Sequence, residues 1–526
     1  MSLTLDPIQK EAMEAAPALR PLMEEVGRAV WELAEVGLTE YRSAGFVADV
    51  LRREGFSVTT GLCGFPMGFE AEYKNGDGPA IALLCEYDAL PGLSVTTPGG
   101  NGHGCGHNLF SAAAVATGVL VRRLMEKHGI RGTLRIYGTP GEENYASKAY
   151  YAKNGLFDRD GCSVGFHAHD RNEVNFKVSA GTLIRNFTFH GRPAHAGNCP
   201  WNGASALDAV EIFHVMVNYL REHVPTDVRL QYIITRGGDA PNIVPEIAQC
   251  QQVVRAASVP VMLEGAQREE TCARAAAMAT GTTVEVDFVD QTYNTVLLRE
   301  YAQLAQDCLE AAGAPEFSPE ELEYARQFGD HTGLDTAIAP LPPYEGYQGG
   351  ATDEGDVSWN IPHVSIYVAN LARNTTGHTL EFTRQANAPA AYTAMTAQVK
   401  AASVMVLELL ERPERVEALK AAHREKMAGL TYPHTGDQPD RRAFGNTPGA
   451  ALEGDTLTVD PAALPLLDHR DREAQVSVEL EGRVLASFPA SRQAAVLLPG
   501  KAKGKTLELY AKYQNGSKQL IGYYNL

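Results

Sequence analysis

The sequence predicts an α/β protein with a mostly parallel sheet, a smaller ferredoxin-like module inserted into it, and an all-β region at the C-terminal end. Three observations carry this prediction. Helix and strand patterns alternate over residues 1–178 and again over 294–433, the order changes to βαββαβ over 179–293, and short strand patterns with Gly and Pro turns fill 441–526. A chain of 526 residues is also long enough for about three domains.

Alternation of amphipathic helices with short apolar strands defines the first part of the main domain, residues 1–178. Helices that alternate with strands in this way connect parallel neighbours, so the sheet is expected to be largely parallel. Gly37 is a natural end for the first helix. The predicted helices span 21–36, 42–54, 108–128 and 145–154, and the predicted strands span 80–85, 133–137 and 163–166.

The inserted module, residues 179–293, has the order strand, helix, strand, strand, helix, strand, which is typical of a ferredoxin-like fold. The main-domain pattern then resumes over 294–433, so we expect an insertion rather than a tandem domain. The module's predicted strands span 181–190, 229–235, 248–256 and 283–289, and its helices span 204–224 and 261–280; the resumed pattern has helices at 295–312 and 385–410 and a strand at 363–369.

The C-terminal region, residues 441–526, follows a linker-like stretch at 433–440 that is rich in Pro, Gly and Asp. It carries no group of catalytic side chains, so three uses stay open: covering a cleft, extending a dimer or binding a partner. Its predicted strands span 475–480, 484–488, 494–498, 506–512 and 519–524.

Charge and composition exclude several classes of function. Lys and Arg number 46 against 64 Asp and Glu, and the net charge of −18 disfavours nucleic-acid and anionic-membrane partners. The polar start does not resemble a secretory signal, and no apolar run is long enough to span a membrane. Eight cysteines without a Cys-x-x-Cys pair indicate neither a disulfide framework nor a zinc ribbon. We therefore expect a reduced, cytoplasmic protein.

Chemically active side chains follow several predicted strands at the points where the strands end. Because ligands bind beyond the carboxyl ends of the strands in an open α/β sheet, these side chains are expected to meet in one site. They are Glu86 and Asp88 after the strand at 80–85, Glu142 and Glu143 after 133–137, His167 and His169 after 163–166, His378 after 363–369, and His103, Cys105 and His107 just before the helix at 108–128.

The residue types indicate metal chemistry. Cys, His and Glu side chains without a Ser-His-Asp order favour a borderline-soft divalent ion such as zinc, manganese or cobalt. Cys105 and His107, with one Gly between them, can turn toward one ion, and the nearby helix N-terminus would help to hold a thiolate. Adjacent Glu142 and Glu143 point in different directions, so one can bind the metal while the other takes a proton from a metal-activated water.

Two histidines, His167 and His169, compete for one ligand position. If their segment is still extended, both lie on the same face of it. We favour His167 because it directly follows the predicted strand at 163–166. His103 is expected to be structural or to support a ligand.

Six motifs occur in a consistent order along the chain. They are EYDALPG (86–92), GHGCGHN (102–108), PGEEN (140–144), GRPAHAG (191–197), GGDAPNIVPE (237–246) and TTGHT (375–379). With them the sequence resembles the aminoacylase/carboxypeptidase-type metallopeptidases, and within these the amidohydrolase branch that has Cys-Gly-His in place of the first aspartate ligand. The resemblance spans roughly residues 20–430. Residues 348–358 also resemble the family's loop on the leaving-group side of the site.

This resemblance implies a site with two divalent metal ions in the α/β domain and an inserted lid domain through which the enzyme forms a homodimer. The implied metal ligands are Cys105, His107, Glu143, His167 and His378. The other implied roles are Glu142 as the general base, Asp88 as the carboxylate that orients a ligand histidine, His195 of the lid as the group that stabilises the oxyanion, and Asn242 and Arg255 of the lid as the residues that hold the substrate carboxylate.

The expected function is metal-dependent hydrolysis of the amide bond in a small N-acyl or N-aroyl amino acid or a dipeptide-like substrate. A first alternative keeps the site but changes the bond: an aromatic aminohydrolase would release ammonia instead of an amino acid. A second alternative is a non-catalytic metal-binding or assembly protein, which the complete ligand set and Glu142 disfavour.

Overall fold

A seven-stranded sheet forms the centre of the main domain in the computed structural model, which describes residues 4–432, 439–499 and 502–526. Its strands are β1 (Ser57–Leu62), β2 (Phe65–Asn75), β3 (Ala80–Cys85), β4 (Gly132–Gly138), β5 (Cys162–His169), β6 (Glu173–Val174) and β13 (His363–Ala369). They lie in the order β1-β2-β4-β3-β5-β13-β6. The α/β class predicted from the alternating pattern is confirmed.

The sheet is parallel at its centre and antiparallel at its edges. β3 pairs in parallel with β4 and β5, and β5 pairs in parallel with β13. The β1–β2, β2–β4 and β13–β6 pairings are antiparallel, so the prediction of a mostly parallel sheet is wrong at the edges. The β1–β2 hairpin accounts for most of this difference, because Gly61, Gly64 and Gly68 interrupt the strand pattern from which it could have been predicted.

Helices cover the sheet, and the two longest of them, α4 and α12, are buried along most of their length. α12 is the one helix of the described residues that is long and apolar enough to span a membrane, yet 83% of that window is buried inside the protein, as in a core helix. The main-domain helices are α1 (Pro7–Ala15), α2 (Arg20–Leu33), α3 (Tyr41–Arg53), α4 (His107–His128), α5 (Ser147–Lys153), α8 (Arg299–Ala312), α9 (Pro319–Ala325), α10 (Glu354–Asn360), α11 (Leu380–Gln385), α12 (Pro389–Glu411) and α13 (Pro413–Lys426).

The inserted module has the predicted order of strands and helices. Its elements are β8 (Gly181–His190), α6 (Ala206–Leu220), β9 (Arg229–Arg236), β10 (Ile247–Ala256), α7 (Val259–Thr280) and β11 (Thr283–Thr292). The four strands form an antiparallel sheet in the order β11-β8-β10-β9. Both helices pack on one face, over side chains such as Phe187 and Val254, which leaves the other face open. Beside the module, β7 (Lys177–Val178) and β12 (Gly346–Tyr347) form a short parallel ladder.

The C-terminal region packs against the outer edge of the main sheet. Gln519 on its last strand accepts a hydrogen bond from the Thr60 backbone N–H (3.1 Å), and the Tyr523 hydroxyl donates to the Gly64 carbonyl (2.9 Å). The predicted linker at 433–440 lies mostly outside the described residues, and the domain bounds remain predictions. The strands are β14 (Ala450–Glu453), β15 (Thr456–Val459), β16 (Gln475–Leu480), β17 (Arg483–Pro489), β18 (Ala494–Leu497), β19 (Thr506–Lys512) and β20 (Lys518–Asn525), in sheets ordered β14-β15-β18 and β17-β16-β19-β20.

Candidate active site

A cavity of about 490 Å³ lies between the main domain and the open face of the inserted module. Side chains that the sequence places at the ends of separate strands do meet here. None of the described residues of the C-terminal region lines the cavity, so this region does not cover it. The main-domain lining includes Glu86, Cys105, Phe110, Glu142, Glu143, His167, Asp353, Glu354, Tyr367 and His378, and the module contributes Thr182, Ile184, Arg255, Asp290 and Thr292.

Three groups of potential metal ligands lie at the base of this cavity, and in each group the ligand atoms are within 4.8 Å of one another. The groups are Cys105 with His107 and His167, Cys105 with Glu143 and His378, and His107 with Glu142 and Glu143. Because Cys105 belongs to the first two groups, its sulfur lies between two sets of ligands. The arrangement therefore fits two adjoining metal ions, and all five predicted ligands are part of it.

Buried atoms without partners show that these residues suit cations. His107 Nε2 and Glu143 Oε1 are buried and have no hydrogen-bond partner among the described residues. Burial, and next to it the charge of Glu143, raises the pKa of the Cys105 thiol to about 12. The helix N-terminus therefore does not hold a thiolate by itself, contrary to the prediction, since α4 begins only at His107. A thiolate here needs positive charge beside it, and thiolate, imidazole and carboxylate together suit borderline-soft divalent ions.

The competing histidines His167 and His169 take different environments. Both lie within β5, which extends through residue 169, so His167 does not follow the strand as predicted. His167 Nδ1 donates to the Ala168 carbonyl (2.7 Å), which leaves Nε2 free at 3.7 Å from the Cys105 sulfur. His169 instead stacks on Tyr367 and lies 3.0 Å from Asp170, outside the ligand groups. Burial lowers the pKa of His167 to about 4, which keeps its ring neutral and able to bind a metal.

Asp88 joins two of the ligand segments. Its Oδ1 lies 2.7 Å from His107 Nδ1, and its Oδ2 accepts the backbone N–H of Glu143 at 2.9 Å. The first contact orients the His107 ring so that Nε2 faces the cluster. Between the ligands Cys105 and His107, Gly106 has a φ of +83°, and a Cβ atom there would lie only 2.7 Å from the Cβ of Ala168. Only glycine fits this turn.

His378 reaches the cluster from a loop with an unusual backbone. Its φ is +58°, a left-handed conformation that costs a non-glycine residue energy and is often found at functional sites. Its N–H donates to the Gly104 carbonyl (2.9 Å), and its Nε2 lies 3.4 Å from Glu143 Oε1. The ring is 57% exposed, so it forms the solvent side of the cluster.

Glu142 lies beside the candidate metal ligands and lines the cavity. Its Oε2 is 3.9 Å from His107 Nε2, and its side chain is only 13% exposed. Burial, followed by the nearby carboxylates of Glu86 and Glu143, raises the pKa of Glu142 well above its ordinary value. A carboxylate in this environment binds a proton readily, which is the property that a general base requires.

Lys148 is the main residue of the site that sequence reasoning missed. It is fully buried on α5, its Nζ lies 2.7 Å from Glu86 Oε1, and it also forms an ion pair with Asp353. Burial opposes its charge, but Asp353 and Glu86 outweigh this effect, so the pKa of Lys148 is raised. The only sequence signal was its position in the apolar run Ala149–Ala152, which indicated that this helix is buried.

The inserted module's predicted residues separate in the structure. Arg255 lines the cavity, where its Nε lies 3.3 Å from Gln231 Oε1. His195 and Asn242 are exposed on neighbouring loops: the Asn242 carbonyl accepts the N–H of Ala196 (3.0 Å), and neither side chain lines the cavity. A single chain therefore brings together only one of the three predicted lid residues.

Comparison with known proteins places these residues in a family. A model described as peptidase family M20/M25/M40 matches residues 82–425, more than half of the chain. The chain belongs to this family. It is 31% identical over 436 residues to a p-aminobenzoyl-glutamate hydrolase of Escherichia coli (strain K12), covering 75% of this chain and 90% of the relative. It is 28% identical over 440 residues to the Xaa-Arg dipeptidase of Mus musculus, covering 80% and 94%.

Solved structures share the fold of this M20 chain. A dinuclear metal-binding peptidase of the M20 family from Bacillus subtilis has a TM-score of 0.54 at 17% identity and covers 74% of this chain and 99% of its own. An aminobenzoyl-glutamate utilization protein from Klebsiella pneumoniae has a TM-score of 0.51 at 16% identity, with 74% and 97% covered. The resemblance inferred from the six motifs is confirmed, and the M20 chain is a hydrolase that acts on carbon–nitrogen bonds.

Proposed function

We propose that the chain hydrolyses the amide bond of a small N-acyl or N-aroyl amino acid, or of a dipeptide-like substrate. The observation that carries this proposal is the convergence of Glu142 and three ligand groups at the base of one cavity. Its relatives named as a p-aminobenzoyl-glutamate hydrolase and an Xaa-Arg dipeptidase support a substrate of this size and bond type.

Two divalent ions, held by Cys105, His107, Glu143, His167 and His378, would acidify water and polarise a carbonyl oxygen. Glu142 takes the proton from the attacking water and returns it to the departing nitrogen. Its raised pKa serves both steps, since the carboxylate accepts a proton readily and the acid form persists long enough to donate it. Asp88 keeps the His107 ring in one orientation through the 2.7 Å contact with Nδ1.

Arg255 is the proposed anchor for the substrate carboxylate. Its guanidinium lines the cavity and forms no ion pair with any described residue. Burial lowers the pKa of Arg255, which means that its charge is poorly solvated. A substrate carboxylate would restore that lost solvation with a bidentate contact.

A panel of small amides tests this proposal against its alternative. Metal-loaded protein is incubated with N-acetyl and N-benzoyl amino acids and with dipeptides, and the products are identified by mass. We expect equal amounts of a carboxylic acid and an amino acid. Ammonia without a free amino acid would indicate the aromatic aminohydrolase, and no turnover of any amide would contradict the proposal.

A homodimer through the inserted module is part of the proposal. β9 is an edge strand with exposed Ile233 and Ile234, and the neighbouring α6 exposes Val215 and Tyr219. An exposed edge strand beside apolar side chains is suited to pairing with a second copy across a two-fold axis. Such a dimer would allow the exposed His195 loop to complete the cavity of the partner subunit.

Subunit exchange tests this arrangement. Glu142→Gln and His195→Ala proteins are each expected to be nearly inactive, because each lacks one part of every site. After mixing and exchange, one site of each mixed dimer carries both intact residues, so activity should recover to about a quarter of wild type. A monomeric protein in solution, or exchanged dimers that stay inactive, would contradict the arrangement.

We also propose a cytoplasmic location. All eight cysteines lie in the described part of the chain and are free thiols, which agrees with a reducing compartment. Fractionation of the source cells is expected to recover the protein with the cytoplasmic fraction, and recovery outside the cell would contradict this.

A further inference from the structure

Asp290 differs from the other acidic residues that line the cavity. Glu86 and Asp353 pair with Lys148, and Glu354 accepts a hydrogen bond from Ser365 (2.7 Å). The remaining two acids, Glu142 and Glu143, belong to the candidate ligand groups. Asp290 Oδ1, in contrast, is buried without a hydrogen-bond partner, and no described cation pairs with the carboxylate.

A β-bulge aims Asp290 into the cavity. On β11, Phe288 pairs with Arg185 and Asp290 pairs with Ile184, so Val289 is an extra residue between two successive pairs. Phe288 and Arg185 lie on the side of the helices, whereas Ile184 lines the cavity. Without the bulge, strand alternation would direct residue 290 to the helix side. Bulges that redirect a side chain beside an active site are a recurrent device.

Asp290 and Arg255 lie on the same sheet face but too far apart to neutralise each other directly. Asp290 is opposite Ile184 and Arg255 is opposite Thr182, on strands either side of β8. Two strand spacings and two residues along the strand separate their Cα atoms by about 12 Å. The cavity therefore offers one unpaired cation and one unpaired anion. Burial raises the pKa of Asp290 to about 7, which shows how poorly solvated its charge is.

We propose that the substrate carries a cationic group, an ammonium or guanidinium, that binds Asp290 while its carboxylate binds Arg255. This rests on the proposed amide hydrolysis and narrows its substrate class to amides with both charges. The cation has two sources: the side chain of the leaving amino acid, or the α-amino group of the acyl part. The chemistry at Asp290 is the same for both.

Two matched substrate pairs distinguish these sources. N-acetyl-lysine and N-acetyl-norleucine differ in a cation on the leaving amino acid, and alanyl-leucine and isobutyryl-leucine differ in a cation on the acyl part. For wild-type protein, kcat/KM should favour the cationic member of one pair by about tenfold or more. Asp290→Asn should lower that ratio by about tenfold or more, whereas Asp287→Asn, an exposed residue on the same strand outside the cavity, should not change it.

Each outcome decides a different point. A wild-type ratio near one for both pairs, with measurable hydrolysis of the neutral members, would overturn the inference and leave the proposed function standing. An unchanged ratio in Asp290→Asn would overturn the role of Asp290. If none of the four amides is hydrolysed by metal-loaded protein, the proposed function itself fails. The wild-type ratio needs no variant, so the test holds even if Asp290→Asn does not fold.

Discussion

Replacing Glu142 with Gln is expected to lower kcat for amide hydrolysis by about 10²–10⁴-fold, the usual contribution of a positioned general base. Gln has the same shape as Glu but cannot accept a proton from water. Its side-chain oxygen can keep the position of Glu142 Oε2, 3.9 Å from His107 Nε2, so the cluster should still bind metal. The measurement is kcat together with the metal-to-protein ratio.

Glu143→Gln is the matched control for this result. Glu143 is a predicted ligand, and its Oε1 is a buried atom without a hydrogen-bond partner. The same chemical change there should lower the metal content, whereas Glu142→Gln should not. Substantial activity in Glu142→Gln, or a loss of metal equal to that of Glu143→Gln, would contradict the assignment of Glu142 as the base.

Replacing Lys148 with Met is expected to reduce the free energy of unfolding by about 3–5 kcal/mol, the usual effect of removing one partner of a buried ion pair. Met fills a similar volume but leaves Glu86 and Asp353 without the cation that both contact. Both carboxylates are buried, so neither recovers its solvation from water. Urea unfolding of the metal-free protein measures the effect without a contribution from bound ions.

Lys127→Met is the control for this experiment. Lys127 pairs with Glu11 at 2.7 Å, but its side chain is 61% exposed, so water replaces the lost contact. Little change in stability is expected there. Equal destabilisation by the two substitutions would show that the buried ion pairs of Lys148 do not stabilise the site region.

Periodicity predicted the elements of the fold better than their pairing. The bounds of β3, β8 and β13 were predicted to the residue, because each is a run of β-prone residues between turn signals. The β1–β2 hairpin was missed because glycines break its pattern, and its antiparallel pairing changed the sheet from mostly parallel to mixed. Strand direction depends on which segments meet in space, and local pattern carries little of that information.

Site prediction succeeded where the residues lie on short motifs at strand ends. Cys105, His107, Glu142 and Glu143 could be placed together because neighbouring strands deliver them to one edge. Lys148 and Asp290 could not, since the first depends on partners from two other segments and the second on a bulge. His195 and Asn242 are exposed in a single chain, so their use requires a second copy that no single sequence describes.

Metal removal and restoration test most directly whether this cluster performs the hydrolysis. Protein is stripped with a chelator, and zinc, manganese or cobalt is titrated back while metal content and amide hydrolysis are measured together. We expect activity to disappear and then to return to its maximum at about two ions per chain. Cys105→Ala should bind fewer ions and remain inactive. Full activity of the metal-free protein, or an unchanged metal-to-protein ratio in Cys105→Ala, would contradict metal-dependent hydrolysis at this site.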